Sequence, residues 1–355
     1  MRRTRTVLAR HIACAATLGA GALCTPAQAQ SSVQLYGIVD TGVARVNNGR
    51  TSATTVVSGG QAASRWGFRG TEDLGGGLSA YFNLEAQMST DDGSLPAPNV
   101  GFQRRAVVGF RSTDWGEFSM GREYTPAYWA LIENDITRFG LFGTLQSINS
   151  LAVATPRVSR AVSYATPSWN GFTLRVQHAF GDTNTATKDV GKSEGVGLRY
   201  AADRLTLHLA YVTLRVAPPA TPAGLPSTIT RQLVAGGGYG FGDFRFTAGG
   251  GYSDPARPSA KVTFAHLGGA YVFGPSQIFA QWIHFKTEVA GGRANTLALS
   301  YTYNLSKRTN FYASMGRTAN NRTGSFPLNI SQTSFAPGAA GADVRGVMAG
   351  MRHLF

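Results

Sequence analysis

Arginine is the residue type whose placement in this chain implies chemistry. Arg65, Arg69, Arg105, Arg175, Arg199, Arg245 and Arg352 each stand in a run of alternating apolar residues, and each occupies the phase that the apolar side chains leave vacant. Among the acids only Asp40, Glu85 and Glu117 share that phase. A guanidinium group stays charged and presents five fixed donors. Seven of them against three carboxylates make a surface that attracts and orients anions. Bond-making chemistry has no comparable set. His178, His208, His266 and His284 have no G-x-S-x-G serine nearby, and Asp91-Asp92 has no partner at metal-ligand spacing. Neither a catalytic residue, a metal nor a cofactor is expected.

Phase has meaning only on strands, and the chain reads as strands throughout. In 78–87, Leu78, Ala80, Phe82, Leu84 and Ala86 face one way; in 205–211 three leucines alternate with Thr206, His208 and Ala210. A helix would scatter both apolar faces. Sixteen such segments are expected, at 33–44, 65–73, 78–88, 104–112, 117–123, 160–166, 172–180, 194–200, 205–214, 231–241, 244–252, 262–272, 276–287, 294–304, 310–317 and 343–355. Short links such as 74–77, 113–116, 167–170 and 201–204 have hairpin-turn composition. Long links rich in Gly, Pro, Ser, Thr and Asn occupy 48–63, 89–101, 217–228 and 319–341. Tight turns on one rim and long loops on the other are the pattern of a transmembrane β-barrel. An even count of sixteen leaves a water-filled lumen, whereas eight strands would fill their own interior.

The two ends agree. Arg2, Arg3, Arg5 and Arg10 precede an apolar run too short to span a bilayer, followed by Ala27-Gln28-Ala29, so 1–29 reads as a cleaved secretory signal and 30–355 as the barrel. Both cysteines, Cys14 and Cys24, leave with the signal, which removes any disulfide or thiolate site. What remains has 29 basic and 19 acidic residues, a net charge of about +10. That balance favours anionic cargo. Nucleic acid is not expected, since the arginines are dispersed singly and an exported chain seldom meets it. The last thirteen residues, DVRGVMAGMRHLF, alternate strictly and finish on Phe355.

With these residues in view, the chain resembles the general porins of Gram-negative bacteria, of the trimeric betaproteobacterial type. The resemblance rests on SSVQLYGIVD at 31–40, SRWGFRGTEDLGGG at 64–77, GREYTP at 121–126 and the closing strand, which together span the whole barrel. It implies an all-β, sixteen-stranded antiparallel barrel with its third external loop folded inward, a homotrimer, and passive diffusion of small hydrophilic solutes. It also implies that Phe355 is the signal read by the barrel-assembly machinery. Outer-membrane lipid, lipopolysaccharide and small anionic or neutral solutes are the expected partners, and the outer membrane the expected location.

The inward loop has a candidate in the strandless stretch between Glu123 and Arg160, too long for a structureless link. Residues 128–135 suit two helical turns and carry Glu133 and Asp135, while Leu131, Ile132, Phe139, Leu141, Phe142 and Leu145 need a wall to pack on. At about 2.3 Å of climb per residue, Arg65 and Arg105 lie near mid-height, opposite this loop. Arg104 and Arg122 have lipid-facing phase, where a charge is costly, so a bulge or a position by the headgroups is expected to turn them inward as secondary lumen residues. The expected constriction is therefore Arg65, Arg105, Arg104 and Arg122 facing Glu133 and Asp135. The wall around it carries Asp40, Arg69, Glu85, Glu117, Arg175, Arg199, Arg245 and Arg352. The function so read is an anion-preferring diffusion channel, with a barrel enzyme or adhesin as the alternative.

Overall fold

Period-two patterning becomes one large antiparallel sheet in the computed structural model, which describes residues 32–96, 100–150, 156–183, 189–217, 227–255, 261–288 and 291–355. The signal expected at 1–29 lies outside the described residues. Along the chain come β1 (Ser32–Asn47), β2 (Ser52–Ser58), β3 (Arg65–Gly75), β4 (Leu78–Gln87), β5 (Arg105–Ser112) and β6 (Gly116–Tyr124). Two helices follow, α1 (Pro126–Asn134) and α2 (Gln146–Ser150). Next come β7 (Arg157–Ala165), β8 (Phe172–Ala179), β9 (Ser193–Ala202), β10 (Leu205–Val216), β11 (Thr228–Phe241) and β12 (Phe244–Asp254). The last are β13 (Val262–Phe273), β14 (Ser276–Thr287), β15 (Arg293–Asn304), β16 (Thr309–Asn320), a small hairpin of β17 (Leu328–Asn329) and β18 (Ser334–Phe335), and β19 (Val344–Leu354).

From β3 to β16 each strand pairs with the next, β16 pairs with β19, and β19 pairs with β1, which closes the ring. The large sheet has seventeen strands, but β2 and β3 pair with successive stretches of the same strand, β1, so they share one position and the ring has sixteen. Closure leaves no free edge for another chain to extend. Of the described helices, none is long and apolar enough to cross a membrane.

The faces separate as the phase requires. On β10, Leu207 and Leu209 are about half exposed, at 47% and 50%, whereas Ala210 on the opposite phase is 1% exposed. Outward side chains are mostly apolar, suiting lipid; inward ones meet the loop or the lumen. Tight turns use positive φ where the backbone demands it: Asn170 (φ 49°) and Gly171 (φ 87°) form a two-residue link clamped by paired bonds between Trp169 and Phe172.

Two expectations change. The stretch 48–63, expected as one long loop, contains β2, which hairpins back on β1 through Asn48–Thr51. The second ring position is then broken at 59–64, where the chain wraps around Asp40. The fold beyond Tyr124 carries α1 two residues earlier than expected, because Thr125 caps it by accepting from the Tyr128 amide at 3.2 Å and Pro126 fits the first turn.

Candidate functional site: the inner wall and its loop

The segment after β6 turns into the barrel. Pro126 sits against Gly195 and Gly197, Asn134 against Gly236, Ile136 against Gly268, and Phe142 against Gly316 and Gly346, all on the inward phase of their strands. Those glycines leave room for a chain to lie directly on the wall. The Leu141 amide donates to the Gly60 carbonyl at 2.7 Å and the Phe142 amide to Ser314 Oγ at 3.1 Å, which fixes the far end. Leu131, Phe139, Leu141, Phe142 and Leu145 are all buried, as the need for a wall implied.

Charges on the inner face gather into three groups. In the first, Glu85 on β4 accepts Arg104 Nε at 2.6 Å, lies 3.7 Å from Arg65 Nε, and accepts the hydroxyls of Tyr36 at 3.1 Å and Tyr124 at 3.2 Å. In the second, Glu123 accepts Arg105 through Nε at 2.9 Å and Nη2 at 2.5 Å, while Glu117 accepts Arg111 at 3.0 Å and the Tyr81 hydroxyl at 2.6 Å. In the third, Glu133 on α1 accepts Arg199 Nε at 2.9 Å and lies 3.2 Å from His208 Nε2. The loop root ties into the first group: Tyr128 stacks on Tyr124 at 4.1 Å, and Arg157 lies 4.8 Å above the Tyr124 ring. Burial, and then the neighbouring Tyr124, push the Tyr128 phenol up to about 12.

Such a wall, closed and lined by arginine, has known relatives. The family model for Gram-negative porins matches residues 13–323. The chain belongs to that family. Outer membrane porin protein 32 of Delftia acidovorans is 31% identical, covering 93% of this porin and 95% of that protein. An outer membrane porin protein of Bordetella pertussis is 30% identical over 93% of this porin and 96% of that protein. Among solved structures, the anion-selective porin from Comamonas acidovorans superposes with a TM-score of 0.83 at 29% identity, covering 92% of this porin and all of that chain. OmpT of Vibrio cholerae in its trimer form reaches 0.67 at 17% identity, over 92% of this porin and 99% of that chain, a likeness of fold. The porin is thus a β-barrel of the Gram-negative outer membrane through which small hydrophilic solutes diffuse passively.

Each expected residue has a definite place in the porin. Arg65, Arg69, Arg105, Arg175, Arg199, Arg245 and Arg352 all take the inward phase, as do Asp40, Glu85 and Glu117. Arg104 precedes β5, outside the strand's phase, and reaches inward to Glu85 and to Gln87 Oε1 at 3.0 Å. Arg122 stays apart. The register shifts between Gly121 and Glu123, and Arg122 donates to the Gln103 carbonyl and Ser159 Oγ, each at 2.6 Å, with no inner-face acid. Asp135 also departs from expectation. It caps the C-terminal end of α1 and is 1% exposed, accepting from Thr137 N, Thr144 Oγ1 and Leu145 N, so it braces the loop and presents no charge to the lumen. Burial raises its carboxyl above the usual range against the pull of those bonds. Glu133 faces Arg199 on β9, not Arg65 or Arg105.

Among the described residues, Glu123 and Arg111 on the wall and Arg138 on the loop are charges that the sequence reading left out. Glu123 and Arg111 have the same phase as Glu117 and Arg105, so alternation carried the signal. Arg138 sits on the loop, exposed, at φ 54°, where no phase exists to orient it.

Proposed function

We propose that this porin is an anion-preferring channel that admits small anionic or neutral solutes. The carrying observation is a mismatch in pairing. Among the described residues, Asp40, Glu85, Glu117, Glu123 and Glu133 are each held by arginines or by several donors. Among the same residues, Arg138, Arg175 and Arg245 have no carboxylate within ion-pair distance, and Arg69 and Arg352 are bonded to the neutral amides of Gln34 and Asn310. Positive charge is left over on a wall of low dielectric, where field lines concentrate in the water path. An entry preference of about 1.4 kcal/mol is a tenfold bias in local ion concentration. The anion-selective relative from Comamonas acidovorans supports the same reading.

The constriction is proposed to be formed by Arg65 and Arg105 on the wall, with Arg104 buried behind them as the brace of Glu85, and by Arg138 and Glu133 on the loop. The signal at 1–29, homotrimeric assembly, the absence of catalysis and the role of Phe355 as assembly signal belong to the same proposal, supported by the family resemblance. The test is the zero-current potential of the purified protein in planar bilayers under a salt gradient. Arg138→Glu breaks no ion pair and should move that potential toward cation preference, most in dilute salt, because screening extends over roughly 10 Å at 0.1 M. Arg65→Glu with Arg105→Glu should act in the same direction. If Arg138→Glu and the double reversal both left the potential unmoved, the preference would have to arise elsewhere.

A further inference from the structure

The link between β16 and β19 folds back over the lumen, and its hairpin β17–β18 packs on the inward loop. Leu328 and Ile330, 0% and 1% exposed, share one cluster with Leu141 and Phe142, and the Phe335 ring stands 6.2 Å from that of Phe142. Leu328 also lies against Gly316, on the inward phase of β16. The Ile330 amide donates to the Thr333 carbonyl at 3.0 Å, which closes the turn and puts Gln332 at its tip.

That tip reaches the break between β2 and β3. Met88, just past β4, donates its amide to the Ser64 carbonyl at 3.0 Å, a last rung of the β3–β4 ladder. The reciprocal groups of that rung, the Ser64 amide and the Met88 carbonyl, are joined through Gln332. Its Oε1 accepts the Ser64 amide at 2.9 Å, and its Nε2 donates to the Met88 carbonyl at 3.1 Å. The same Oε1 accepts the Ser58 hydroxyl at 2.9 Å, so the end of β2 is tied in as well. A side-chain amide offers the donor and the acceptor of a peptide unit, and here it stands in for the strand that the break at 59–64 takes away. Gly59 makes room for it, since a Cβ there would meet the Gln332 amide. Ser64 is fully buried, out of reach of water.

The residues so held flank the charges of the constriction. Arg65 follows Ser64, Gln87 precedes Met88, and the two are register partners. Gln87 accepts Arg104 at 3.0 Å, Arg104 donates to Glu85, and Arg65 lies 3.7 Å from Glu85. Arg65 is also the first residue of β3, and strand ends open most readily unless a neighbour pins them. We propose that Gln332 is a positioning residue for ion preference: acting through the main chain, it fixes the strand ends that carry Arg65 and Gln87 and so sets where the Arg65 guanidinium stands beside Glu85. A residue of the last loop thereby controls selectivity at a distance in sequence. The inference rests on the anion-preferring reading above.

The test is a double-mutant cycle on the full mature porin, read as zero-current potential in planar bilayers under a potassium chloride gradient. Gln332→Ala should produce at least half of the shift toward cation preference that Arg65→Ala produces. Added to Arg65→Ala, it should shift the potential no further, as expected when two residues act on one feature. Gln332→Met, which keeps the bulk of the side chain and loses the amide, should behave as Gln332→Ala does. A parent-like potential in Gln332→Ala overturns the proposal, and so does a shift that simply adds to that of Arg65→Ala. A parent-like Gln332→Met assigns the effect to packing of the hairpin and also overturns it. Folding is verified by the mobility shift on heating; where Gln332→Ala does not fold, Gln332→Met carries the cycle. A parent with no anion preference is a failure of the channel reading alone. The same cycle is then read in open-channel conductance, with additivity again overturning the proposal.

Discussion

Asp40 lies on the channel face and offers no charge to the channel. Its carboxylate accepts the amides of Gly60 and Gln61 at 3.0 Å, the amide of Ala62 at 2.7 Å and the Tyr312 hydroxyl at 2.7 Å. It is therefore the pin around which the break between β2 and β3 is wound. The same break carries Gly60, whose carbonyl anchors the inward loop through Leu141, and leads directly into Arg65. Stranding a buried donor costs about 1–3 kcal/mol, so Asp40→Ala should cost several times what a single surface contact is worth. The expected result is a lower temperature for the mobility shift on heating, together with noisier open-channel current as the loop loses its anchor. Asp40→Asn keeps one acceptor oxygen and should fall between. Unchanged heat-shift temperature and noise in Asp40→Ala would show that the amides find water instead.

At the scale of elements the inward loop is held less by its helix than by the close approach that follows it. A Cβ on Gly140 would lie 1.8 Å from the Gln61 carbonyl oxygen, which is backbone and cannot step aside. Gly140→Val should lift the loop off β1 and β2 while leaving the sixteen-position wall intact. Single-channel conductance should then rise or fluctuate between levels, with far-ultraviolet dichroism unchanged; a parent-like single level would mean that the loop seats without this contact. How much of this is legible in the sequence follows element by element. Strands such as β10 declare themselves because one face is lipid and alternation is uninterrupted. β2, SATTVVS, does not, since its first five residues are all exposed and nothing sorts them into two faces. Arg122 departs from its expected place because a register shift between Gly121 and Glu123 interrupts the wall at that point. Asp135 reads as a loop charge because sequence shows its type but not the Thr137, Thr144 and Leu145 groups that fold back on it. Arg138 has no legible orientation at all, as loop side chains obey no period.

For the whole molecule the decisive event is closure, and Phe355 stands at the seam. Ten positions of β1, Ile38 to Asn47, pair with Leu354 to Arg345 of β19. Phe355 extends that seam by one step: its amide donates to the Gly37 carbonyl at 3.1 Å, and the Gly37 amide donates to the Phe355 carbonyl at 3.0 Å. Its ring lies where a Cβ on Gly37 would be, with Cζ 2.3 Å from that point, so Gly37 admits the ring over the first strand. Two main-chain bonds are worth about 1 kcal/mol net each, a small share of what a closed barrel holds in its remaining ladders. Deleting Phe355 should then scarcely weaken a barrel already formed. If the residue acts chiefly as the mark by which the chain is taken up for assembly, the deletion should reduce the outer-membrane level sharply and raise periplasmic aggregate, while the few barrels that form conduct like the parent. Phe355→Tyr, which keeps an aromatic ring on the lipid face, should restore the level. Quantifying outer-membrane protein against single-channel conductance separates the two roles. Normal levels in the deletion would reduce Phe355 to one more rung of the seam, and normal levels with lowered heat-shift temperature would make it a brace of the closed wall.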